Sequence, residues 1–567
     1  MAGDDAGELI DVIDALREAA DALRLPLLTP GQPEGTRVRA QLLAQLDDYV
    51  LPRLRSLEAP LLAVVGGSTG AGKSTLVNSI VGAPVTRSGV IRPTTTSPVL
   101  VHHPLEAHWF TDQRILPRLA RRTGSIGQDQ PGTVRLVPSD TLPAGIALLD
   151  APDIDSVVQA NRELATQLLA AADLWLFVTT AARYADAVPW DLLRTAAERG
   201  TALAIVLDRV PPGAVEEIRT HLVEMLREQG LGVAPVFTIP ESTLTGDGLL
   251  PVDVTGRLRA WLEALGNDAI AREVVVSQTL RGAVASLTGR TQELVRASRE
   301  QTTAGLALTT ASHEEFERAL HEVRGGMRDG SLLRGEVLAR WQEFVGTGEF
   351  FRTVESTVGR WRDRVVAALK GAAPPARHLD EALHSGVATL VLAHGQSAAA
   401  CTLREWRRLP GGAELIESHP ELSVADPGVG ADVDRLVRDW QGEIFEMVRT
   451  EGGNRRTNAR VAAYGVNGIG LFLMLVAFAH TGGITGAEAG IAGGTAVLAQ
   501  RVLEAIFGDQ AVRDMAAKAR HRLLTRVELL YATQRERFDT VVPDRGSAQE
   551  QSVALEDAAQ ALAGVIR

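Results

Sequence analysis

The sequence predicts an α/β, doubly wound domain joined to a long α-helical bundle or stalk that carries a hydrophobic helical hairpin. Three observations predict it. Between residues 58 and 265, short apolar runs alternate with helical patterns, as in a parallel sheet covered by helices. From 266 to 460 the pattern is almost wholly helical, as in a bundle. From Val461 to Ala487 the chain runs 27 residues without a formal charge.

The elements follow in order. In residues 1–57, apolar positions recur at helical spacing over 7–24 and 35–57, separated by Pro26, Pro30, Gly31 and Pro33. These two helices are expected to join the bundle. In 58–265, the runs 61–65, 97–101, 146–149, 173–179, 202–207 and 234–239 read as buried strands. The stalk, 266–460, is expected to break at Gly325-Gly326, at Gly346 and Gly348, at Pro374-Pro375 and at Pro410-Gly411-Gly412. The hydrophobic segment, 461–505, begins with a nearly continuous apolar leg from Val461 to Ala479. At about 1.5 Å per residue that leg is just long enough to cross a bilayer core. Thr481-Gly482-Gly483 makes a turn, and Gly486, Gly490 and Gly494 allow close helix–helix approach on the second leg. Arg455, Arg456 and Arg460 precede the segment; Arg501, Arg513, Lys518, Arg520 and Arg522 follow it. Positive residues on both sides suit a hairpin that dips into the membrane and returns to the cytoplasm. The same segment also reads as the buried centre of a helical bundle. Residues 506–567 form a return helix to about 540, then a polar break and a short helix.

The bulk numbers narrow the class. A chain of 567 residues exceeds a single core and implies about two to four domains. With 70 acidic against 58 basic residues the net charge is −12, which argues against nucleic-acid binding through a broad basic surface. One cysteine, Cys401, excludes an internal disulfide framework and suits a reducing cytosol. The acidic start, Met1-Ala2-Gly3-Asp4-Asp5, lacks a signal-peptide layout.

Lysine usage is the sharpest clue. Only Lys73, Lys370 and Lys518 are lysines among 58 basic residues. Lys73 stands in Gly67-Ser68-Thr69-Gly70-Ala71-Gly72-Lys73-Ser74, which matches the phosphate-binding loop G-x-x-x-x-G-K-[ST]. A compact ammonium reaches between β- and γ-phosphates where a guanidinium fork does not substitute freely. The apolar run Leu61 to Val65 precedes the loop, and Thr75 begins a helical pattern that ends at Gly82. Strand, glycine loop and helix N-terminus therefore come in the order that points loop amides and helix dipole at an anion.

Further candidates lie downstream. Ser74 is expected to place its hydroxyl on Mg²⁺. Arg92-Pro93-Thr94-Thr95-Thr96-Ser97 precedes a strand, and Thr95, with Thr94 and Thr96 as close rivals, is placed to complete the Mg²⁺ shell and sense the γ-phosphate. Asp150 ends the strand Ala147-Leu148-Leu149 and is the expected metal supporter. In the D-x-x-G pattern the glycine position holds Asp153, which adds a negative charge and loses glycine's freedom. The base-reading motif [NT]-K-x-D is replaced by Asp208-Arg209-Val210-Pro211. Asp208 can accept from guanine N1 and N2 hydrogens and Arg209 can stack on the ring; Asp208 can equally just end a strand. Ser242 reads as a base-pocket residue or as an ordinary helix cap.

These motifs look like those of the translation-factor-related GTPases. With the helical stalk and hydrophobic hairpin, the layout resembles bacterial dynamin-like proteins. The layout covers most of the chain; the specific motifs cover about 65 to 245. The resemblance implies a P-loop GTPase that binds GTP or GDP with Mg²⁺, hydrolyses GTP, and self-assembles as a homodimer or larger oligomer, or with a paired dynamin-like partner. It further implies contact with membrane lipids from the cytoplasmic face. By the same resemblance Lys73, Thr95 and Asp150 carry catalysis, and Ser74, Thr95 and Asp150 hold the metal. Gly67, Ser68, Thr69, Gly70, Ala71, Gly72, Lys73, Ser74, Thr75, Asp208 and Arg209 would contact the nucleotide. Two departures stand out: Thr69 occupies the position where dynamins often hold a water-positioning polar residue, and the base motif is degenerate. A soluble Era-like regulatory GTPase and a nucleotide-binding scaffold with little turnover are the alternatives. An ATP-binding-cassette protein is excluded by the lack of an LSGGQ-type signature.

Overall fold

The computed structural model of the chain describes residues 3–87, 97–112, 114–124, 130, 132–156, 158–328, 376–451 and 509–566. Contacts divide the chain into two units, one of residues 1–25, 31–300 and 546–567 and one of residues 26–30 and 301–545.

The first unit is built on an eight-stranded sheet. Its strands are β1 (Leu61–Gly67), β2 (Val99–His102), β3 (Ala120–Arg122), β4 (Thr133–Pro138), β5 (Ile146–Asp150), β6 (Leu174–Thr180), β7 (Ala202–Val210) and β8 (Val236–Pro240). They lie in the order β3-β4-β2-β5-β1-β6-β7-β8. Every pairing is parallel except β2 with β5. The six expected apolar runs all fall on strands. β3 and β4 were not among them. β3 is only Ala-Arg-Arg, and β4 signals itself through alternation, with Val134 and Leu136 buried between half-exposed neighbours.

The central strands are apolar on both faces because helices cover both. Leu62 and Val64 of β1 join one core with Leu149, Trp175, Phe177 and Ile205. Leu61, Ala63 and Val65 join a second core with Leu76, Ile80, Leu148 and Leu176. Alternate side chains of one strand thus feed two cores, as the two-residue strand period requires.

A third core gathers the helices at the chain's ends. The helices Gly3–Ala22, Gln32–Gln45, Leu51–Leu54 and Arg545–Ile566 pack residues such as Ile13, Leu16, Leu42, Leu54 and Leu555 around Leu280, Leu287 and Leu294 of the helix Ala269–Arg328. The expected single helix over 35–57 is instead the helix Gln32–Gln45, a π turn Leu46–Val50 and the short helix Leu51–Leu54. Pro33 sits in the first turn, where its missing N–H costs nothing. The expected short final helix is 22 residues long. A buried polar cluster fastens this layer to the sheet. Asp173 accepts from Arg53 Nη2 at 2.7 Å, from the Leu62 amide at 2.8 Å and from Tyr49 Oη at 3.2 Å.

The second unit is helical. It contains the distal part of Ala269–Arg328 and the helices Ala376–Trp406, Gly412–Ser418, Val429–Glu451 and Asp509–Asp539. Trp406 and Phe538 pack edge to face at 5.6 Å in its core. Its buried aromatic donors are satisfied by helix carbonyls: Trp406 Nε1 donates to Leu308 O, Trp440 Nε1 to Ala519 O and Tyr531 Oη to Val391 O. The expected break at Gly325-Gly326 does not occur, and the 60-residue helix runs through both glycines to Arg328. The expected break at Pro410-Gly411-Gly412 does occur, with Gly411 in the left-handed region at φ +76°. Among the described residues one stretch, His384–Trp406, is long and apolar enough to cross a membrane; its face of Val387, Val391, Ala398, Leu403 and Trp406 is buried in the helical core. The expected hydrophobic hairpin, 461–505, lies outside the described residues.

Candidate functional site

The register of the sheet decides what can meet. Val65 pairs with Asp150, Gly67 with Val178, and Thr180 with Asp208. The ends of β1, β5, β6 and β7 therefore open on one edge of the sheet, at the carboxyl ends of parallel strands where α/β folds bind ligands. The loop from Gly67 to Ser74 leaves β1 there and enters the helix Lys73–Val81. Gly67 has φ +148°, and a Cβ on it would lie 2.1 Å from Val178 O, so only glycine fits.

Lys73 is 5% exposed. Its ammonium donates to Gly67 O at 2.9 Å, to Ser68 O at 3.1 Å and to Asp153 Oδ1. Ser74 Oγ donates to Asp150 Oδ2 at 2.7 Å. Thr86 Oγ1 donates to the same oxygen at the same distance. Asp150 is fully buried, and its other oxygen, Oδ1, has no hydrogen-bond partner among the described residues. Burial pushes the Asp150 carboxyl above its ordinary range, against the pull of the two hydroxyls and Lys73.

The loop is clasped from a second side. The Thr69 amide donates to Asp155 Oδ1 at 2.5 Å. Arg183, in the turn after β6, donates from Nη2 to Asp155 Oδ2 at 2.9 Å and from Nη1 to Thr69 O at 3.2 Å. Gly70 is left-handed at φ +75°, Ala71 is buried and its amide bonds Ser68 O, and Ser68 Oγ is buried without a hydrogen-bond partner. Thr75 lies in the first turn of the helix, and its carbonyl accepts from Ser79 Oγ.

Asp208 is 7% exposed, and its Oδ2 lies 2.5 Å from where a Cβ on Gly72 would stand. Its carboxylate therefore packs against the start of the loop helix. Burial pushes this carboxyl up. Arg209 is exposed, sits at φ +54°, and has Nε 3.8 Å from Asp208 Oδ2. Ser242 Oγ donates to Pro240 O, a local turn contact. Thr94, Thr95 and Thr96 lie outside the described residues.

Lys73, Ser74 and Asp150 are thus brought together at the end of β1. Thr86, Asp155 and Arg183 also belong to the cluster and carry no motif of their own. The residues fit Mg²⁺: a hydroxyl and a buried carboxylate with an unpaired oxygen offer hard oxygen ligands, and a cation that keeps waters and phosphates needs few protein groups. Among the described residues no three His, Cys, Asp or Glu side chains gather into a fuller cage.

No family model and no curated protein matches the sequence. Among solved structures, the chain is similar to a member of an oligomerised bacterial dynamin pair described as sensing and tethering membranes over long range. That match has 10% identity and a TM-score of 0.47, and covers 98% of this chain and 95% of that one. It is also similar to Era in complex with MgGDPNP and nucleotides 1506–1542 of 16S ribosomal RNA, at 17% identity and TM-score 0.24 over 36% of this chain and 56% of that one. Toc33 from Arabidopsis thaliana, in complex with Mg²⁺ and GMPPNP, matches at 15% identity and TM-score 0.24 over 42% of this chain and 91% of that one. The chain shares few residues with any of these, and only the bacterial dynamin among the three is matched over nearly the whole length of both chains.

Proposed function

We propose that this chain is a dynamin-like GTPase that binds and hydrolyses GTP, self-assembles, and binds the cytoplasmic face of a membrane. The observation that carries the nucleotide reading is the convergence of Lys73, Ser74 and Asp150 at the end of β1, with Asp150 Oδ1 unpaired. In this reading the loop amides and Lys73 bind the phosphates and orient the γ-phosphoryl group. Mg²⁺, held by Ser74 Oγ and Asp150 with Thr95 completing the shell, would neutralise phosphate charge. Asp150 keeps the Ser74 hydroxyl aimed, and Thr86, which donates to the same carboxylate oxygen, helps fix the Asp150 side chain. Asp208 and Arg209 mark the base side of the site. Membrane contact rests on the uncharged segment 461–487 and its flanking arginines.

Equilibrium binding of fluorescent GTP and ATP analogues tests the nucleotide half, with Lys73→Ala as control. GTP-selective binding lost in the variant supports it; equal binding of ATP refutes guanine selection. Liposome flotation of a chain lacking 461–500 tests the membrane half, and a deletion that still floats refutes it. A nucleotide-binding scaffold with little turnover is the second reading, favoured by the contact between Asp153 and Lys73. Single-turnover phosphate release no higher than in Lys73→Ala would select it.

A further inference from the structure

We propose that Asp153 and Asp155 act as an internal anion that competes with nucleotide phosphates for the phosphate loop, so that loading requires residues 151–155 to give way. This rests on the nucleotide reading above and adds an affinity-setting device to it.

The Lys73 ammonium is saturated. A lysine ammonium has three donors. Lys73 spends them on Gly67 O, Ser68 O and Asp153 Oδ1. A phosphate gains a bond from this ammonium only if one acceptor leaves. Two of the three are carbonyls of the loop itself. Asp153 is the charged one and belongs to a different segment, and its side chain is only 18% exposed. An arriving phosphate attracts Lys73 and repels Asp153 at close range in a poorly solvated site, so Asp153 is the acceptor that leaves.

The second aspartate repeats the pattern at the loop's backbone. The Thr69 amide is of the kind that points at phosphate in such loops, and it donates to Asp155. Asp155 is held in a closed ring, with Arg183 bonding both its carboxylate and the Thr69 carbonyl. Burial pushes the Asp155 carboxyl up, but the bonds from Thr69 and Arg183 outweigh it and hold the group below its ordinary range. Asp155 is therefore a true negative charge at neutral pH. Between the two, the Ile154 amide donates to Gly67 O at 3.4 Å. Residues 153, 154 and 155 are thus each bonded to the loop, and the two side chains supply anions where phosphate oxygens would.

Stopped-flow association and dissociation of fluorescent GDP and GTP analogues with Mg²⁺ tests this on the full chain, wild type, Asp153→Asn and Asp155→Asn. Removing the charge at 153 should speed association about tenfold, the scale of one charge-assisted hydrogen bond, and leave dissociation within about twofold. Asp155→Asn should also associate faster, and it carries the test if Asp153→Asn does not fold. A purely structural role would lower the melting temperature without speeding association. Association no faster than wild type in either folded variant overturns the proposal, as does an effect confined to dissociation. If the folded wild type and both variants bind neither guanine nor adenine nucleotide, the nucleotide reading itself falls and the competition with it.

Discussion

Removing Asp173 should cost the first unit several kilocalories per mole and leave nucleotide affinity nearly intact. Asp173 is 2% exposed and takes three donors: the Arg53 guanidinium, the Leu62 amide and the Tyr49 hydroxyl. Arg53 is 5% exposed, and its remaining bonds go to the carbonyls of Ser56, Ala59 and Pro60. Asp173→Ala strands a buried guanidinium and a buried amide. Breaking one half of a buried pair costs about 3–5 kcal/mol. For a large domain each kilocalorie lowers the melting temperature by about 2–4 °C, so the variant should melt about 6–20 °C lower. The double variant Arg53→Met/Asp173→Leu removes both charges and should recover most of that loss, because apolar packing replaces a costly desolvated pair. Scanning calorimetry reads the effect. Asp173 precedes β6 and the Leu62 amide opens β1, so the pair sits at the opposite end of the strands from Lys73, and nucleotide binding measured well below the melting point should change little. A single variant that melts within about 1 °C of wild type refutes the reasoning, since a loss near 3 kcal/mol cannot hide there.

Gly67→Ala should abolish nucleotide binding while much of the sheet survives, because a Cβ would lie 2.1 Å from the Val178 carbonyl at φ +148°; titration with a fluorescent GTP analogue checks it. Asp150→Asn should weaken Mg²⁺-dependent nucleotide binding about 10–100-fold, read by titrating Mg²⁺ at fixed nucleotide. Asp208→Asn should raise the melting temperature at pH 7. Burial raises the folded carboxyl's pKa, so its contribution to stability is present below the unfolded value near 3.9 and lost as pH rises through the folded one; the variant's advantage should shrink as pH falls toward 4. Trp406→Ala should destabilise the second unit by about 3–5 kcal/mol, since it empties a fully buried site between Leu308 and Phe538, and chemical denaturation should show it as a lower midpoint.

What was legible in the sequence is what is local. Strand, loop and helix from Leu61 to Val81 are contiguous, and their order alone fixes where Lys73 and Ser74 stand. Asp150 was legible because it ends an apolar run. Thr86, Asp155 and Arg183 were not: Thr86 follows the loop helix closely but meets Asp150 only across 64 residues of chain, and the fold brings Asp155 and Arg183 to Thr69 from 86 and 114 residues away. The helix Ala269–Arg328 defeats the glycine rule for a similar reason. Two glycines cost about 2 kcal/mol in helix propensity, and Val323 and Met327 buried on either side of them offset it.

Asp153 shows best how an apparent departure changes meaning once geometry is known. In the sequence it stands where phosphate-loop proteins of this pattern keep glycine, and it reads as damage: less backbone freedom and an unwelcome charge. In the fold the question reverses. A lysine that is 5% exposed has lost most of its water, and a buried ammonium without a counter-charge is expensive. Gly67 and Ser68 supply carbonyl dipoles, which satisfy donors but not charge. Asp153 supplies the charge. A glycine at 153 would leave Lys73 without its hydrogen-bonded carboxylate, with Asp150 acting on it only through space, so the residue that opposes phosphate is also the one that neutralises a buried Lys73 directly in its absence. On this argument Asp153→Gly should cost stability in nucleotide-free buffer and regain it on adding a guanine nucleotide with Mg²⁺, and a variant equally stable in both conditions would show that Lys73 needs no counter-ion.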